Sequence, residues 1–191
     1  MVSQEYSGFG QITDEVTLAA AVAGKSRAQQ IIFERYKSSV LRTLIGLCHD
    51  RELARDLAQD VFLQAFTKLH QLRNHQAFGA WLKQLTVRTA LSYFRAQPAP
   101  AESLEEEFID STEWSAQADW LVQLRDIETL IAQLNDTERL TVWLYLGEGY
   151  THEEIANLLD EQASTVRKRY QRALMKLNTF LTQEVPHDHK A

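Results

Sequence analysis

Arg167, Lys168, Gln171 and Arg172 fall on adjacent turns of a basic stretch near the C-terminus, and these side-chain types read base edges in a DNA groove. Arginine pairs with two acceptors of guanine at once, and glutamine does the same for adenine. Ser164 and Thr165 stand just before them, where hydroxyls and the unpaired amides of a helix start suit a phosphate. The preceding residues supply the rest of a helix-turn-helix. Thr151-His152-Glu153-Glu154 is a capping box, in which the Thr oxygen accepts from a first-turn amide while Glu154 reaches back. Ile155, Ala156, Leu158 and Leu159 follow at helical spacing, Asp160 to Ala163 form a break, and a basic helix runs on from Ser164. Ala156 is small where two helices must cross closely, and Ile155, Leu159, Val166 and Tyr170 suit the seam between them. From these residues alone, a solvated face on a helical hairpin remains the competing interpretation.

Other chemistries lack their residues. His152-Glu153 resembles the start of a zinc-protease helix, but position 156 is Ala, so the second histidine is missing. His187 and His189 stand with Asp188 in a polar tail, where an unstructured end is expected. Cys48 is the sole cysteine and falls on an apolar stripe, which predicts a buried thiol in a reducing compartment. There is no glycine-rich phosphate loop and no triad signature, so neither an enzyme nor a cofactor or metal site is expected.

The net charge of −6 over 191 residues argues against nucleic acid until its distribution is considered. Glu102, Glu105, Glu106, Glu107, Asp110, Glu113 and Asp119 share a stretch with no Lys or Arg, while Arg167, Lys168, Arg169, Arg172 and Lys176 crowd another. Local charge decides the partner. No apolar run is long enough to span a membrane, and the N-terminus lacks a secretion signal, so a cytoplasmic protein without membrane insertion is expected.

The elements that position these residues are helices, because Leu, Ala, Gln and Glu abound while prolines number three. The first dozen residues read as a ragged start; Asp14 is then an N-cap for Leu18, Ala19, Val22 and Ala23. Ile31, Ile32, Tyr36, Val40, Leu41, Leu44, Ile45 and Cys48 mark a long second helix. A third runs from Glu52 to about Leu72 and a fourth from about Ala77 to Arg95. Pro98, Pro100 and the acidic run then break the period, which returns from Trp120 to Leu134, and Asn135 to Glu138 cap a further helix that Gly147 and Gly149 end. The fold expected is all-α: two helical domains, 12–96 and 119–183, joined by a flexible acidic linker, 97–118, with the helix-turn-helix in the second.

Two motif sets carry a family resemblance. Leu134 to Leu159, followed by Thr165-Val166-Arg167-Lys168-Arg169-Tyr170-Gln171-Arg172-Ala173, resembles the fourth region of sigma factors, with its "Gly-Tyr/Leu-Ser/Thr-x-x-Glu-Ile-Ala" helix and "Thr-Val-x-x-Arg-x-x-Arg-Ala" recognition helix. Asp56-Leu57-Ala58-Gln59-Asp60-Val61-Phe62 is similar to the "Asp-Leu-x-Gln-Glu-x-Phe" signature of the second region. Phe78 to Arg95 resembles that region's "Phe-x-x-Trp-Leu-x-x-Ile-Ala-x-Asn-x-x-x-Asp-Tyr-Leu-Arg". The chain is thereby identified as a member of the extracytoplasmic-function (ECF) sigma factors, which lend promoter specificity to RNA polymerase.

The resemblance implies specific roles. Ser164, Thr165, Arg167, Lys168, Gln171 and Arg172 would meet the upstream (−35) element in the major groove. Arg73, Asn74, His75 and Gln76 would line a base pocket for the downstream (−10) element, with Lys83, Arg88 and Arg95 on phosphates. Phe78 and Trp81 are expected in the core. Asp56, Gln59 and Asp60 would offer acceptors to core RNA polymerase while Leu57, Val61 and Phe62 face inward. A cognate anti-sigma factor is expected by analogy. Departures from the family's pattern are Asp160, where Gly is usual at the turn, Glu161, where an apolar residue normally closes it, Gln162, where Ser is common, and Gln84 and Arg88 in place of Arg and Asn. Glu161 is expected to weaken turn packing and upstream binding. A stand-alone helix-turn-helix regulator and a helical interaction protein that does not bind DNA are the rival functions.

Overall fold

The computed structural model describes residues 8–97 and 131–184, with side chains to 180. The chain divides into two compact units, the first running to Glu102 and including Gly147–Gly149, the second made of the rest. The expected acidic linker beyond Gln97, the periodic stretch from Trp120 to Leu130 and the histidine tail lie outside the described residues. Every regular element among those described is helical.

In the N-terminal unit, α1 (Glu15–Val22) starts at Asp14, whose carboxylate accepts from the Thr17 amide at 2.8 Å and its hydroxyl at 2.7 Å. These bonds hold the Asp14 carboxyl below the usual range, as expected for an anion at a helix start. Leu18 and Ala21 face the core, whereas Ala19, Val22 and Ala23 are exposed, so the expected apolar face of α1 is rotated. The long α2 (Ser26–Cys48) buries Ile32, Tyr36, Val40, Leu44 and Leu47 completely; Ile31, expected on the same stripe, is exposed. It ends where His49 takes a left-handed conformation at φ 52°, and Asp50 then caps α3 (Arg51–Lys68) through the amides of Glu52 and Leu53. A 3-10 turn over Leu69–Gln71 and another over His75–Ala77, capped by Asn74, lead into α4 (Phe78–Ala96).

Tyr36 is the pivot of this core. Its ring packs edge-on to Phe78 at 5.3 Å and stacks with Phe9 at 6.4 Å. Its hydroxyl donates to the Gln11 carbonyl at 2.5 Å and accepts from Thr13 at 3.2 Å. The segment expected to be ragged therefore packs against the unit from Gly8 onward, with Phe9 buried. A single aromatic in a glycine-flanked stretch carries no periodicity, so the sequence gives no signal for it. The strap has one strict requirement: the Phe9 carbonyl lies so close to Gly79 that a Cβ there would run into it.

The C-terminal unit has three helices among the described residues: α5 (Asp136–Val142), continued by a wider π turn over Trp143–Gly147, then α6 (His152–Leu159) and α7 (Ala163–Glu184). Asn135 with Glu138, and Thr151 with Glu154, form reciprocal capping boxes at the starts of α5 and α6, each worth about 1 kcal/mol by the usual cost of losing an N-cap. Ile131, Leu134 and Val142 pack with Tyr170, Ala173, Leu174 and Leu177 of α7. Asp160 ends α6 in the left-handed conformation at φ 60°, and its amide returns to the Ala156 carbonyl. Asp serves here at some strain where Gly would be free.

Replacing Gly79 by Ala is expected to destabilise the N-terminal unit by about 1–3 kcal/mol, the usual cost of overpacking, because backbone must move to admit the methyl. Urea unfolding of the variant checks this, and a midpoint equal to wild type would refute the strap.

Candidate nucleic-acid interface

The inner face of α7 is fixed by burial. Val166, Tyr170, Ala173 and Leu177 recur at three- and four-residue spacing and are at most 2% exposed. Ile155 and Ala156 of α6 are buried with them, and Leu159 is half-buried. A helix with that face inward must turn Ser164, Thr165, Arg167, Lys168 and Arg172 outward, and all five are exposed; Gln171 is half-buried at the edge. The six residues expected to touch the −35 element thus lie together along the first turns of α7.

The basic cluster is not uniformly available. Arg169 points inward and pairs with Glu161 at 2.9 Å. Lys176 pairs with the buried Glu138 at 2.7 Å. Arg167 lies 3.5 Å from Glu153, with both side chains largely exposed, so this contact is weak and yields easily to a phosphate or base. Two cations of the stretch are therefore structural, and Arg167, Lys168 and Arg172 carry the outward charge.

Aromatic packing supports this face from behind. The His152 ring stacks on Tyr145 at 4.5 Å and meets Tyr170 edge-on at 5.2 Å. Burial holds the His152 imidazole below its ordinary pKa, and the neighbouring Arg167 charge lowers it further, against a smaller opposing effect of Glu153. His152, noted in the sequence for a rejected zinc motif, is a packing ring whose uncharged form burial favours. Among the described residues no cluster of three or more metal-ligating side chains exists, and no helix is long and apolar enough to cross a membrane.

In the N-terminal unit, Asp56, Gln59 and Asp60 are exposed on one face of α3, and Leu57, Val61 and Phe62 are buried on the other. Leu63 continues the outer stripe one turn beyond Gln59 and is 68% exposed, an apolar residue that motif reading passed over. Phe33 of α2, also partly exposed, packs edge-on against Phe62 at 4.8 Å.

A cleft of about 750 Å³ runs between α3 and α4, lined by Asp60, Lys68, Gln71, Trp81, Arg88 and Tyr93 among others. Trp81 is half-buried and lines this cleft, with its ring 5.8 Å from the buried Phe78; of the two aromatics expected in the core, Phe78 alone is enclosed. The loop residues Arg73, Asn74 and Gln76 are exposed and do not line the cleft, while His75 lies 3.4 Å from Glu15. Lys83 is half-buried, and Arg95 is exposed near the end of α4. Of the cations expected at the −10 element, Arg88 is the one that the structure places at the cleft, together with Asp60 from the expected polymerase-binding set.

A helical unit with an outward acceptor stripe, joined in one chain to a helix-turn-helix with a cationic recognition helix, defines a DNA-binding transcription protein of two modules. Residues 32–98 match the family model for Sigma-70 region 2, and residues 124–177 match that for Sigma-70, region 4. The chain is 27% identical over 175 residues to the RNA polymerase sigma-H factor of Pseudomonas aeruginosa, covering 85% of this chain and 91% of that protein. It is 26% identical over 176 residues to the ECF RNA polymerase sigma-E factor of Escherichia coli K12, with the same coverage. Among solved structures, the fold is similar to that of CnrH in its complex with the cytosolic domain of CnrY, at TM-score 0.53 and 20% identity, over 90% of this chain and 99% of that one. The chain belongs to the sigma-70 family, in its ECF group, and its function is that of a sigma factor in promoter-directed transcription initiation.

The histidine gives a pH prediction. A folded-state pKa below the unfolded value of about 6.5 means that the unfolded chain binds more protons in this window. The stabilisation is fully present above that value and is lost as pH falls through the folded pKa. Hydrogen-exchange protection in α6 and α7 should drop between pH 7 and 5 in the wild type, and by clearly less in His152→Phe; equal losses in both would exclude His152 as the cause.

Proposed function

We propose that the two units divide promoter recognition as follows. Residues 12–96 hold core RNA polymerase and the −10 element, residues 119–183 hold the −35 element, and the acidic stretch 97–118 discourages DNA binding when polymerase is absent. On α7, Ser164 and Thr165 take phosphate while Arg167, Lys168, Gln171 and Arg172 read bases and adjoining phosphates. On the N-terminal unit, Arg73, Asn74, His75 and Gln76, with Lys83, Arg88 and Arg95, engage the opened −10 strand. Trp81 and Tyr93 beside Arg88 are the stacking surfaces such a strand needs. Asp56, Gln59 and Asp60 accept hydrogen bonds from polymerase, and Leu63 supplies the apolar contact at the end of the same stripe.

The observation that supports this reading is the outward register of α7, with Ser164, Thr165, Arg167, Lys168 and Arg172 exposed on the solvent side and Arg169 buried. The protein itself performs no catalysis; the chemistry belongs to the polymerase. It works in the cytoplasm and is restrained there by a cognate anti-sigma protein.

Transcription by purified core polymerase on a library of genomic promoters tests the whole reading. Added wild-type protein should produce discrete new transcripts, and no stimulation on any promoter would overturn it. Arg167→Ala or Arg172→Ala should each weaken −35 binding about 10- to 100-fold and lower the salt slope by about one unit if a phosphate is also lost. Leu63→Asp should abolish co-purification with core polymerase and leave folding intact. Retained co-purification would remove Leu63 from the interface.

A further inference from the structure

Glu161 immediately follows the turn residue of the helix-turn-helix, where a free carboxylate would oppose the phosphates approaching α7. The structure binds it at both ends instead. Its amide donates to the Ala156 carbonyl of α6 at 2.9 Å. Its two carboxylate oxygens lie 3.0 and 2.9 Å from Nη2 of Arg169 on α7. The Arg169 side chain is 7% exposed, on a helix whose Val166, Tyr170 and Ala173 are buried as well. Its other terminal nitrogen is buried with no hydrogen-bond partner among the described residues. A guanidinium in that position depends on its one carboxylate, because an uncompensated buried charge is among the costliest defects a core can hold.

We infer that Glu161 and Arg169 form a positioning pair that sets how α7 presents its outer face, and thereby sets how sharply the protein discriminates −35 sequences. This rests on the promoter-binding function proposed above. Glu161 reaches from the end of α6 to the second turn of α7, so it crosses the one joint whose angle determines where Arg167, Lys168 and Arg172 lie in a groove. Base reading tolerates only small errors of placement, of roughly half an ångström and 10–20°. The pair also neutralises the Glu161 carboxylate beside the DNA-facing end of α7. The carboxylate of the turn residue Glu161 is thereby engaged by a guanidinium instead of standing free toward the DNA.

The test uses the full chain in holoenzyme with core polymerase. The probes are a duplex carrying the −35 element of a mapped promoter and a scrambled duplex of equal length. Discrimination is the ratio of the two affinities, measured where circular dichroism shows each variant fully folded. Glu161→Gln, nearly isosteric, and Arg169→Leu should each lose discrimination by roughly tenfold, and Glu161→Leu combined with Arg169→Leu should recover most of it, since a contacting pair couples non-additively. The exchanged pair, E161R with R169E, should recover part. A purely structural role would shift melting temperature and leave the ratio unchanged, which overturns the inference. Glu161→Gln raising affinity for both duplexes equally would overturn it as well, because the carboxylate would then be acting on DNA directly. A wild-type holoenzyme that fails to discriminate would sink the promoter reading itself, and the inference with it.

Discussion

The register of α7 is the constraint on which the C-terminal unit depends. Val166, Tyr170, Ala173 and Leu177 must share one side, and at about 1.5–3 kcal/mol for each large apolar side chain buried this face outweighs any local preference of the residues between them. Once that side is inward, the helical period leaves no freedom in where Thr165, Arg167, Lys168 and Arg172 point. Recognition chemistry is thus a by-product of packing: the same repeat that buries the hydrophobic residues spaces the polar ones. The exceptions prove informative, because Arg169 lies on the inner side by period and is tolerated there through Glu161.

Tyr36 plays the equivalent part in the N-terminal unit, where one fully buried phenol joins α2, the start of α4 and the segment before α1. Its hydroxyl bonds hold the Gln11 carbonyl and the Thr13 side chain, and Phe9 closes over the ring against Gly79. By anchoring α4 at its N-terminus, this arrangement determines which α4 residues border α3. Trp81, Arg88 and Tyr93, at successive spacings of seven and five residues, fall on the side that opens to the cleft. The acceptor stripe of α3 ends at the same place, since Asp60 lines the cleft as well.

Much of this was legible in the sequence, for physical reasons that differ between elements. The capping boxes at Asn135 and Thr151 and the cap at Asp14 are local, requiring only neighbours within a turn, and each forms as the residue types imply. The turn at Asp160 follows from the same locality. What escaped was tertiary. The short α1 offers too few turns to establish a face, so its buried positions prove to be Leu18 and Ala21. Phe9 is placed by a ring some 27 positions away and by a glycine farther still, and nothing near it announces either. The Glu161–Arg169 pair likewise joins two charges across a turn, and sequence shows only that a carboxylate stands where an apolar residue is usual. Trp81 sits on an apolar stripe yet borders a cleft, because a stripe wide enough to pack against two helices has an edge that packs against neither.

Pairing also bears on how an acidic chain can serve as a DNA-binding subunit. With Arg169 and Lys176 committed to Glu161 and Glu138, the outward charge of α7 comes from Arg167, Lys168 and Arg172. Phosphate contacts by those three would give a salt exponent of only about −2.7, a modest electrostatic contribution to duplex binding. The net charge of −6 opposes approach to a duplex further. Such a module becomes effective when a second attachment converts its binding into an intramolecular step, because effective concentrations near the millimolar range multiply a weak affinity without new contacts. Polymerase bound at the proposed α3 stripe would supply that attachment. A sparse cationic face therefore suits a dissociable specificity subunit, because duplex binding then depends on the second attachment, whereas a denser face would favour non-specific DNA.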